Sequence, residues 1–100
     1  MATNIPIAVQ TNLKVIGENL AAQRKLLNLR AEDVALRAGV TTSTISKIEN
    51  GKPVGIVEML KTLRILGLSD DVVAATDPYN KDVGKLRALE KLPERVRRTK

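Results

Sequence analysis

Two short helix-periodic runs meet at Gly39, and that junction constrains the chain more than any other feature. Before it, "EDVALRA" at residues 32–38 places Val34 and Ala38 on one helical face with Ala35 beside them. After it, "TTSTISKIENGK" at residues 41–52 puts five hydroxyl residues within six positions: Thr41, Thr42, Ser43, Thr44 and Ser46. Ile45 and Ile48 form an apolar side of the same stretch. A glycine with positive φ ends the first run. Thr41 is a good cap for the second, and Val40 and Ile45 flank it as a hydrophobic staple. Asn50 and Gly51 make a helix exit, and Pro53 blocks immediate continuation. The hydroxyl-rich stretch therefore reads as a short helix, not a polar loop.

The rest of the chain must support that unit with few resources. One hundred residues make one small domain with a tail, able to bury one modest core. That core must be aliphatic, because Tyr79 is the sole aromatic residue. The chain has no Cys, hence no disulfide framework and no thiolate chemistry. It has no His, which removes the usual acid–base group near neutral pH and the commonest metal ligand. There is no glycine-rich phosphate loop and no carboxylate cluster for catalysis. The acid pairs Glu32–Asp33 and Asp70–Asp71 suit helix starts instead. The reading is a non-enzyme with no catalytic residue, no metal ligand and no cofactor. The start lacks the charged and apolar regions of a signal peptide. No run approaches the roughly 18 apolar residues that span a bilayer. The expected location is cytoplasmic, associated with the nucleoid, and no membrane partner is expected. The formal charge of +6 lies mainly in residues 81–100, where eight Lys/Arg face three Asp/Glu. Such a balance suggests a polyanionic partner.

Residues 1–10 read as an extended N-terminal arm, since Pro6 opposes helix and Ile5, Ile7 and Val9 alternate. That "IPIAV" run is a candidate strand across a dimer. A first helix is expected from Thr11 or Asn12 to near Asn28, with Leu13, Ile16, Leu20, Arg24 and Leu27 in one stripe. After the two helices around Gly39, a fourth is expected over residues 56–66, with Ile56, Met59, Leu60, Leu63 and Leu66 inward. Ser69 is expected to cap a short fifth helix, with Leu68 and Val73 placed for another staple. Residues 77–81 read as a linker. A helix over residues 83–92 would be stopped by Pro93, leaving "ERVRRTK" mobile. The organisation is then an arm at 1–10, a helical domain at 11–76 and a basic extension at 77–100.

Ala35, Gly39 four later and Ile45 six after that form the packing skeleton of a helix-turn-helix. Its second helix lies in the DNA major groove and presents its N-terminal residues to base edges. Residues 16–73 resemble the Xre or Cro-like repressor domain. The likeness is carried by Arg24, "EDVALRAGV" at 32–40, "TTSTISKIENGK" at 41–52 and "LGLS" at 66–69. It implies an all-α, five-helix, lambda-repressor-like fold, here with a basic C-terminal tail. It also implies roles. Thr41 matches a phosphate contact, Thr42 and Ser43 match base contacts, and Ser46 and Lys47 match secondary base or phosphate contacts. Asn50 matches a phosphate contact at the helix end, and Lys52 falls within the same DNA-binding set. Thr44 is read as structural or phosphate-binding. Hydroxyls suit this work because they donate or accept to phosphate oxygens and to several base edges. Arg24 and Glu49 match a structural salt bridge between helices one and three. Two positions depart from the family. Arg30 and Ala31 stand where a hydroxyl cap and a phosphate-bracing Gln are usual. Arg30 is thus a substitute phosphate partner and a poor cap, so that this helix end is expected to fray. Leu36 stands where the family is often polar, either merely exposed or facing a partner.

The family resemblance implies a homodimer reading two half-sites of double-stranded DNA about one helical turn apart. Leu68, Val72 and Val73 are candidates for its interface; the alternative is that they close the core. "MLKTLRILGL" at 59–68, followed by the basic "DVGKLRALEKLPERVRRTK", is similar to HipB-like antitoxins. Those are repressors that pair with a HipA-like serine/threonine kinase toxin. The expectation is an autoregulating repressor on a palindromic operator, the antitoxin of a toxin–antitoxin pair. The alternative is a stand-alone phage-type or restriction-modification controller regulator. The tail is either a partner-binding segment that folds on contact or a solvated end adding non-specific DNA affinity.

Overall fold

A computed structural model describes residues 4–80 and 82–90. Among them there are six α-helices and no strand: α1 (Ile7–Leu26), α2 (Ala31–Ala38), α3 (Thr42–Glu49), α4 (Ile56–Ile65), α5 (Ser69–Ala75) and α6 (Asp82–Glu90). A 3₁₀ turn at Pro78–Asn80 precedes α6. Two compact units divide the chain, residues 1–69 and 70–100.

In the first unit, α2 packs on α3 and α4, and α1 packs on α3. Its core is aliphatic: Leu20, Val34, Ala35, Ile45, Ile48, Leu63 and Leu66 are buried. Thr62 is buried with them, and its hydroxyl is satisfied by donating to the Glu58 carbonyl at 3.0 Å. The four helices of this unit all close alike. Asn28, Gly39, Gly51 and Gly67 adopt positive φ just past each helix. The next N–H then bonds back to a carbonyl of the last turn: Leu29 to Arg24, Val40 to Ala35, Lys52 to Lys47 and Leu68 to Leu63. This double-looped exit satisfies carbonyls that a helix end leaves unpaired. Gln23 covers one more, donating to the Leu66 carbonyl at 3.0 Å.

The chain start differs from its sequence reading. Helix α1 begins at Ile7, so the alternating run is neither an extended arm nor a strand. Pro6 lies just before the helix, where its missing N–H and fixed φ are tolerated. The Pro6 carbonyl accepts from the N–H groups of Val9 and Gln10. Ile16 and Leu27 are exposed; the inward stripe of α1 runs through Leu13, Gly17, Leu20 and Arg24. In α4, Ile56 and Leu60 face out, and Met59, Thr62 and Leu63 face in, followed by the buried Leu66 just past the helix.

The start of α2 is also closed, contrary to the expected fraying. The Asp33 carboxylate accepts from the Arg30 N–H at 2.8 Å and is also reached by the Arg30 guanidinium. Those bonds hold the Asp33 carboxyl below its ordinary value, the backbone one foremost.

Ser69, the last residue of the first unit, is the first residue of α5 and not its cap. Within the stretch read as a linker, Pro78–Asn80 forms the 3₁₀ turn, where the Tyr79 N–H donates to the Asp77 carboxylate at 2.9 Å. The Asn80 side chain donates to the Ala74 carbonyl at 2.7 Å. Helix α6 packs on that turn, and its apolar residues Val83, Leu86 and Leu89 are exposed. The expected helix stop at Pro93 and the mobile "ERVRRTK" lie outside the described residues.

Candidate nucleic-acid interface

Helix α3 is held by one face and presents the other. Ile45 and Ile48 are buried against α1, α2 and α4. Thr42, Ser43, Ser46, Lys47 and Asn50 are exposed. The turn that aims the helix is set by Gly39 at φ 74°, a conformation that a Cβ disfavours.

The hydroxyl row divides by its bonding. The Thr41 hydroxyl accepts from the Thr44 N–H at 3.1 Å, capping the helix. It also pairs with the Thr44 hydroxyl at 3.0 Å. Thr44 is half-buried, so both side chains serve the helix start. The Ser46 hydroxyl accepts from the Asn50 amide at 3.4 Å, and that amide donates to the Ser46 carbonyl at 2.8 Å. Asn50 thus closes its own helix end. Thr42 and Ser43 are different: among the described residues neither hydroxyl has a hydrogen bond, and both are exposed.

A bidentate ion pair fixes the far end of α3 to α1. Arg24 Nε donates to Glu49 Oε2 at 2.6 Å and Arg24 Nη2 to Glu49 Oε1 at 3.0 Å. The remaining guanidinium nitrogen donates to the Leu29 carbonyl at 3.0 Å. The side chains are only 14% and 18% exposed. The Glu49 hydrogen bond raises the Arg24 pKa against the opposing effect of burial. A partly buried Arg held by three hydrogen bonds is spoken for; it orients α3 and is not a free cation.

Two glycines bring α1 and the α3 exit into backbone contact. A Cβ on Gly17 would collide with the carbonyl oxygens of Ile48 and Glu49. A Cβ on Gly51 would lie 2.9 Å from Lys14 Cα. That approach sets Lys14 beside an open groove also lined by Ser46, Lys47, Asn50, Lys52 and Pro53. Lys14 was not among the residues read as functional from sequence. It lies 33 positions before Lys47, and the only sequence signals were the two glycines.

Arg30 and Lys52 are exposed, and Arg30 leans on Asp33 at 3.4 Å. Leu36 is 84% exposed. Of the candidate dimer residues, Leu68 and Val72 are half-buried, and Val73 is 66% exposed and so takes no part in the core.

A family model described as helix-turn-helix matches residues 20–73, more than half of the chain. The chain belongs to the helix-turn-helix family. It therefore has the fold of a DNA-binding transcription regulator, with double-stranded DNA as its ligand. No curated protein and no solved structure matches it. Among the described residues, no helix is long and apolar enough to cross a membrane. The family match ends at residue 73, so it is silent on the basic extension.

Proposed function

We propose that this regulator is a repressor that binds a palindromic operator as a homodimer, with α3 of each copy in the major groove. The observation that carries the reading is the free pair of hydroxyls on Thr42 and Ser43. They project from the first turn of a helix whose other face is anchored by Ile45, Ile48 and Glu49. In this reading Thr42 and Ser43 contact base edges, the Thr42 methyl meeting a thymine methyl where one is present. Ser46 and Lys47 extend the contact by one turn. Thr41, Thr44, Asn50, Lys52 and Arg30 lie against phosphates, which position the helix without reading sequence. The two half-sites lie about one helical turn apart. Val73, exposed and apolar, leads the proposed dimer contact, and Leu68 and Val72 are the further candidates for it.

The same regulator acts, in this proposal, as the antitoxin of a kinase-like toxin. The support is the likeness of residues 59–68 and of the basic extension to HipB-like antitoxins. The extension carries most of the net positive charge, and in this reading it binds the partner. Purification of the tagged full chain from its native host tests this. A kinase-like protein recovered in stoichiometric amount is expected. Repeated recovery of the chain alone would instead make it a stand-alone regulator.

A further inference from the structure

The open groove at the end of α3 has three lysines on its rim, Lys14, Lys47 and Lys52, and no carboxylate. Among the described residues none of the three makes an ion pair; Glu18, four residues on from Lys14, does not pair with it. Three ammonium groups gathered around one groove repel one another, and a polyanion relieves that repulsion. Their placement is rigid on one side. Gly51, at φ 72°, lets the chain beyond α3 lie directly on the α1 backbone at Lys14. Gly17 lets the same helix touch the last carbonyls of α3. The groove also continues onto the outer face of α3, because Ser46 and Lys47 belong to both.

We infer that Lys14 contacts a phosphate of the DNA strand beside the groove that α3 enters, so that α1 contributes a positioning contact to DNA binding. The inference rests on the DNA-binding reading above and adds a residue that lies outside the residue 20–73 family match. A lysine suits such a contact as a compact charge without directional demands. The contact carries no sequence information. It sets the angle at which α3 meets the duplex.

The test is the salt dependence of binding by the full chain to a short mixed-sequence duplex. Lys14→Gln is compared with Lys14→Arg, with wild type, and with Lys61→Gln, an exposed lysine of α4 away from the groove. Losing one phosphate contact should lower the slope of log affinity against log salt by about 0.9. The affinity loss between about 50 and 200 mM salt then shrinks by about 3.5-fold. Lys14→Arg and Lys61→Gln should keep the wild-type slope, and all variants should keep wild-type helicity. An unchanged slope in Lys14→Gln overturns the inference and leaves the DNA reading standing. An equal fall in Lys61→Gln also overturns it, by showing a general charge effect. A wild-type chain that shows no salt-dependent duplex binding overturns both.

Discussion

The five hydroxyl residues between Thr41 and Ser46 show how similar side chains are assigned different work by the hydrogen bonds they make. Thr41 and Thr44 are committed to the helix start, and Ser46 to the helix end through Asn50. Thr42 and Ser43 are left over. Substitutions should separate these classes. Thr41→Ala removes a cap and should cost about 1 kcal/mol in urea unfolding. Ser43→Ala, on an exposed site with no bond to lose, should stay within about 0.5 kcal/mol of wild type and yet weaken binding to the preferred DNA. Equal stability losses from the two would show that the hydroxyls are not divided in this way. Sequence alone could identify Thr41 as a cap, since that role depends on local spacing. It could not tell that Asn50 turns back on Ser46, because an Asn after a helix serves a carbonyl or a phosphate equally well.

Helix α1 shows what governs the legibility of an element. Its buried stripe passes through Gly17, which apolar periodicity does not register, and its start was obscured by Pro6 and an alternating run. The helix pair around Gly39 was legible because cap, staple, turn and exit agree with one another. Gly17→Ala should force α1 away from α3 and destabilise the fold by about 2 kcal/mol, read as a lower urea midpoint. An unchanged midpoint would mean that the helices are not in backbone contact there. The start of α2 has a pH signature. The folded Asp33 pKa is depressed below its ordinary 3.8 by bonds to Arg30. The sign follows: this stabilisation is fully present above the unfolded pKa and is lost as pH falls through the folded one. Thermal unfolding followed from neutral pH to below pH 3.8 should lose stability less steeply in Asp33→Ala than in wild type. Parallel profiles would assign the acid sensitivity elsewhere.

At the scale of the whole molecule, the fold is an orienting device for one eight-residue helix, α3. The aliphatic core, the Arg24–Glu49 pair and the two glycine approaches all fix its exposed face, and the lysine-rimmed groove lies at its end. The proposed dimer belongs to this scale too. Val73→Asp should convert a dimer to a monomer in sedimentation without loss of helicity; a dimer that persists would move the interface elsewhere. The reading proposed for α3 can be measured directly by selecting preferred duplexes from a random-sequence pool, using wild type and the Thr42→Ala, Ser43→Ala double variant. Wild type should enrich a two-fold motif with half-sites about one helical turn apart. The variant should keep salt-dependent duplex binding but lose or change the bases preferred at the centre of each half-site. The same motif enriched by both proteins would contradict the assignment of α3 as the reading helix.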